Sequence, residues 1–124
     1  MVMSSFGLDI TEAELRRLCD CTIFGADALK VVDAARHLGF NGTAKHTLSF
    51  DEMEKLTGRG VYPIVLIDMR PIEGIKGSHA LVVLGMSDIA VNVYDPARGE
   101  RFLQRQTFIT AWAMQHNLTI IVDR

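Results

Sequence analysis

The stretch SHALVVLGMSDIAVNVYDPARG, residues 78–99, decides the fold. It holds two apolar runs of strand length, His79 to Met86 and Ile89 to Asp95, joined at Ser87-Asp88 and followed by a Pro96-Ala97-Arg98-Gly99 turn. Their composition and the turn residues between them read as an antiparallel hairpin. A three-residue loop, Met86 to Asp88, would pair Gly85 with Ile89 and set His79 opposite Asp95. Leu81 and Val83 would then share the face of His79, while Val93, Val91 and Ile89 share that of Asp95. Directly opposed side chains have Cβ atoms ~5 Å apart, close enough for an imidazole–carboxylate hydrogen bond. A two-residue loop would instead send the two groups to opposite faces.

Outward from the hairpin, the chain shows helical signals first and strand signals later. Thr11 and Glu14 form a capping box, with Ile10 and Leu15 as its hydrophobic staple. That predicts a first helix running to about Cys19, with Leu15 and Leu18 inward. A second helix is expected from Ala26 to Leu38, with Ala28, Leu29, Val32 and Ala35 at helical spacing, and Gly39 as its left-handed stop. Thr43 to Thr47 reads as a strand. Ser49 and Glu52, with Leu48 and Met53, predict a brief helix over Phe50 to Thr57, ended by Gly58 and Gly60. Val61 to Asp68 is continuously apolar, the mark of a central strand. Arg70 to Gly77 reads as a loop, Arg101 to Gln104 and Leu118 to Val122 as strands, and Thr107 to Gln115 as a helix anchored by Trp112. Helices followed by a strand meander make an α+β fold in one domain.

Composition narrows the function classes. The 124 residues carry 13 Lys+Arg against 15 Asp+Glu, a formal charge of −2. This lacks the basic surplus that binding to a nucleic-acid backbone by bulk charge requires. At 48% hydrophobic and 23% charged residues the chain is globular rather than disordered. No apolar run reaches the ~20 residues of a membrane-spanning helix. The first residues show no secretory signal, and Cys19 and Cys21 are too close to bridge to each other and too few for zinc. A cytoplasmic protein is expected.

His79 held by Asp95 would be a general base or acid with a fixed tautomer; the plainer alternative is a strand-end His beside an Asp that opens a turn. His37, His46 and His116 lack metal-site spacing and read as surface or cap residues, so no metal and no cofactor is expected. Arg98, Arg101 and Arg105 read as a solvated strand face. Gly58, Gly60 and Gly85 suit turns, not a phosphate loop. Met53, Met69, Met86 and Met114 read as core filling.

Gly7 to Arg17 (GLDITEAELRR), Gly25 to Gly39, the Gly77-Ser78-His79 strand opening and the Asp95-Pro96-Ala97-Arg98-Gly99 turn together resemble the peptidase C39-like domains, small papain-type cysteine peptidases. The resemblance implies a papain-like, C39-type arrangement of small helices on an antiparallel sheet of about five strands. By position it makes His79 the catalytic His and Asp95 the residue that orients it. It also implies a nucleophilic Cys at the start of a helix preceding the segment that Gly7 begins, with an oxyanion-hole Gln just before it; only six residues precede Gly7, none of them Cys or Gln. Cys19 and Cys21 fall at or beyond a helix carboxyl end, where the dipole disfavours a thiolate. The expected function is therefore a non-catalytic peptide- or partner-binding module. The alternative is an active peptidase cleaving a peptide leader, with its Cys helix supplied upstream or by another chain. Without that helix an apolar strip should be uncovered, so self-association or a partner helix is expected over it.

Overall fold

The computed structural model describes Ala13 and residues 28–37, 39–96 and 98–122. The expected first helix with its capping box, Cys19 and Cys21 thus lies outside the described residues. In chain order these residues form α1 (Ala28–His37), β1 (Ala44–Thr47), α2 (Phe50–Gly58), β2 (Ile64–Asp68), α3 (Arg70–Glu73), β3 (Ser78–Met86), β4 (Ala90–Asp95), β5 (Gly99–Gln104), α4 (Arg105–Ala113) and β6 (Leu118–Ile121).

Local chemistry accounts for the helix ends. Beyond α1, Gly39 takes φ +99, its N–H bonds the Arg36 carbonyl, and Phe40 N–H reaches back to Ala35. These two bonds make a Schellman stop, and Phe40 then packs in the same apolar cluster as Ala35. At α2 the capping box is complete: Glu52 N–H donates to Ser49 Oγ at 3.1 Å, and Ser49 N–H to Glu52 Oε1 at 2.8 Å. Hydrogen bonds to the carboxyl, foremost from the Ser49 backbone N–H and then from the Ser49 side chain, hold the exposed Glu52 below its ordinary pKa.

All strands join one antiparallel sheet in the order β1-β6-β2-β3-β4-β5. It has six strands rather than about five, because the last strand inserts between β1 and β2 and carries β1 into the sheet. Every residue of β2 is buried, as a central strand apolar on both faces requires. One face packs Ile64, Leu66, Ala80, Val82 and Ile120 against Val32, Ala35 and Phe40. The opposite face packs Val65, Ile67, Leu81, Val83, Val91 and Val93 against Met53 of α2 and Phe108, Ala111 and Trp112 of α4. Trp112 is the anchor its position predicted, 1% exposed, with its indole N–H donating to the Leu118 carbonyl.

Several local expectations are corrected. Residues 70–73 form a short helix where a loop was expected, with Pro71 in its first turn and Gly74 in the left-handed region at its end. Gly85 lies inside β3 rather than in a turn. Ile89 belongs to the turn, 79% exposed, and Met114 is 40% exposed rather than core.

Candidate active site

β3 begins, β4 ends and β5 begins at one end of the strands, with α3 in the adjoining β2–β3 connection. His79 is the second residue of β3 and pairs with Ile67 of β2, which places it on the Trp112 face of the sheet. Asp95 closes β4 on the same face, in step with the buried Val91 and Val93. His79 Nε2 lies 3.0 Å from Asp95 Oδ1.

The contact is made in a different register from the one expected. Val82 pairs with Tyr94 and Val83 with Val93, and continuing that ladder sets Asp95 opposite Leu81. His79 is therefore the diagonal neighbour of Asp95, still within reach of a long side chain. Nearer the turn, Gly85 pairs with Asn92 and Met86 with Val91, so β3 carries one extra residue between Val83 and Gly85. The turn register alone would send His79 and Asp95 to opposite faces. The one-residue bulge restores the shared face.

Asp95 is completely buried, whereas the His79 side chain keeps 18% of its surface. A carboxylate can only accept, so the contact assigns the donor role to Nε2 and leaves Nδ1 as the ring's second polar atom. The second carboxylate oxygen of Asp95 lies 3.4 Å from Arg101 Nη1 and 3.7 Å from Arg98 Nη1. Glu73 of α3 holds both guanidiniums from behind, at 2.7 Å to Arg98 and 3.3 Å to Arg101. These cations offset the desolvation of Asp95 and fix its plane.

The Asp95–Arg101 geometry follows from the second hairpin. Asp95 pairs with Gly99 and Val93 with Arg101, Arg98 N–H bonds the Asp95 carbonyl, and Gly99 takes φ +80. That is a three-residue loop closed by a left-handed Gly. It sets Arg101 diagonally beside Asp95 and Arg98 one turn along. Arg98 stays exposed, as expected, but both Arg residues are also tied to Asp95 and Glu73, and applying pairing arithmetic to this turn would have found Arg101. Glu73 had no sequence signal, because its segment read as loop. Arg105 is also engaged: it bonds the Ser87 carbonyl, pairs with Glu54 and lies over the Phe50 ring.

The other histidines stand apart from this cluster. His37 ends α1, His46 lies on β1, and His116 is exposed in the turn after α4 with φ +57. Among the described residues no group of three or more His, Cys, Asp and Glu could hold a metal ion, and no helix is long and apolar enough to cross a membrane.

Comparison with known proteins agrees with this architecture. The family model of the peptidase C39 family matches residues 1–123. Among solved structures, the peptidase domain of Streptococcus ComA, a bifunctional ABC transporter involved in quorum sensing, superposes with TM-score 0.61 at 22% identity. That match covers 92% of this chain and 80% of the other. The peptidase domain of Streptococcus mutans ComA gives TM-score 0.53 at 22% identity, over 77% and 73%. A Bacillus anthracis chain termed a C39-like peptidase gives 0.58 at 17% identity; 73% of this chain is covered, but only 56% of the Bacillus chain. The chain has no significant match among curated proteins.

Proposed function

The chain belongs to the peptidase C39 family, and from that premise we propose that it is a non-catalytic, peptide- or partner-binding domain. In this reading His79 and Asp95 serve recognition rather than turnover. The carrying observation is the His79–Asp95 contact at 3.0 Å, with its carboxylate buried and its imidazole at the surface. Such a pair can present Nδ1 to a peptide N–H and draw a donor toward the buried negative charge. It can also deprotonate a thiol, but acyl transfer needs the thiol itself. The sequence contains two cysteines, Cys19 and Cys21, and neither occupies the position that the family resemblance gives the nucleophile. The reading takes the domain to work in the reducing cytoplasm, with a second copy or a partner helix against its apolar surface.

The test is incubation of the purified chain with leader-type peptides that carry small residues at the cleavage position, followed by mass spectrometry. The expected result is an intact peptide that shifts the His79 ring resonances. Turnover that Cys21→Ala abolishes would overturn the reading. So would cleavage that appears when a Gln and Cys-Gly segment is supplied upstream or in trans and disappears again with His79→Ala.

A further inference from the structure

On the Trp112 face, α2 and β1 flank a hollow beside the end of β6. The hollow between them is about 430 Å³, lined by His46, Leu48, Glu52, Lys55, Leu56, Arg59 and Ile121. Three observations bear on what could occupy it. First, among the described residues β1 pairs with β6 alone, which leaves its outer side without a strand partner among them. Its burial alternates, with Ala44 and His46 half-buried and Lys45 and Thr47 exposed. A strand added there would direct every second side chain over the hollow.

Second, the floor is apolar, made by Leu48, Leu56 and Ile121, while the rim is basic. Glu52, Lys55, Leu56 and Arg59 share one face of α2 by helical spacing. Glu52 is bonded to Ser49 N–H and also feels the charge of Lys55, while among the described residues neither Lys55 nor Arg59 makes an ion pair at contact distance. Third, the edge itself carries the exposed Lys45. A second copy of β1 would bring two such lysines onto one short ladder, which disfavours self-pairing. An acidic strand meets the opposite situation.

We propose that this edge and hollow bind an extended peptide segment whose alternate residues are acidic, apolar and acidic. The apolar side chain lies on Leu48, Leu56 and Ile121, the carboxylates meet Lys55 and Arg59, and the backbone extends the sheet at β1. This rests on the binding reading above and assigns it a place and a ligand chemistry away from His79, since β6 and β2 separate β1 from β3.

The probe is a fluorescein-labelled pentapeptide, acetyl-Glu-Thr-Val-Thr-Glu-amide, compared by anisotropy and amide chemical shifts with its Lys-Thr-Val-Thr-Lys counterpart. At low salt the acidic peptide is expected to bind at least tenfold more tightly and to shift amides of Ala44 to Thr47. The Lys55→Glu/Arg59→Glu double variant, altered only at exposed positions, is expected to invert the preference. Equal binding of the two peptides, or a preference unchanged in the double variant, overturns the proposal. Binding that ignores the charge reversal but is lost in His79→Ala overturns the β1 site while leaving peptide recognition intact.

Discussion

Burying a carboxylate as completely as Asp95 is unfavourable unless cations and hydrogen bonds replace its hydration. Here one oxygen meets His79, and the other lies beside Arg98 and Arg101, which Glu73 holds in place. Removing the carboxylate would leave two guanidiniums sharing Glu73, and the imidazole without the carboxylate that orients it. Asp95→Ala is therefore expected to destabilise the fold by about 3–5 kcal/mol, as for other broken buried ion pairs. Asp88→Ala, in the exposed hairpin turn, should stay within ~0.5 kcal/mol. Urea unfolding of the two variants checks the difference, and a loss below ~1 kcal/mol for Asp95→Ala would show that the network carries little stability. The pair itself was legible from residues 78–99 because any even-numbered register shift keeps His79 and Asp95 on one face. The guanidinium support was less so, since Glu73 reaches it from a part of the chain remote in sequence.

Elements differ in how openly the sequence declares them. Capping boxes and glycine stops are local chemistry, so α2 and the end of α1 fall within a few residues of their expected bounds. The β3 bulge is not local: it reconciles a hairpin turn with strand faces that the core on each side dictates, and only the packed sheet contains that conflict. At residues 70–74 the signal was present but ambiguous, because Pro71 and Gly74 mark a loop as readily as the first turn and stop of a helix. The α2 cap offers a test at this scale. Ser49→Ala removes one partner of the box and should cost about 1 kcal/mol, read from urea midpoints. Glu52 adds a pH dependence of known sign. Its folded pKa is lowered, so its contribution is complete above the ordinary carboxylic value and is lost as pH falls through the lowered one. Protection of the Ser49 amide, measured against its intrinsic exchange rate, should fall on that acid limb in the native chain and show no such step in Glu52→Gln.

At the scale of the whole molecule, the sheet order decides how the parts depend on one another. Among the described residues β6 is the last strand, yet it sits between β1 and β2 and supplies the only sheet partner of β1. The early strand β1 therefore cannot join the sheet until the chain is complete through Ile121. The same strand buries Ile120 against the α1 face and Thr119 beside Val65, so it ties both layers of the core together. Its start is bonded by the sole tryptophan, Trp112, through the Leu118 carbonyl. Ending the chain after Asn117 is thus expected to abolish cooperative folding, because the sheet divides rather than losing an edge. Ile120→Ala, which keeps the strand but opens a cavity at a fully buried site, should cost about 2–5 kcal/mol and retain a single transition. Tryptophan emission reports the docking of β6, and far-UV circular dichroism reports the sheet and helices. In the native chain and in Ile120→Ala the two signals should follow one denaturation curve. If emission shifts at lower urea than the dichroism, β6 detaches from a sheet that persists without it, and the strand is an attachment rather than the central tie argued from the topology.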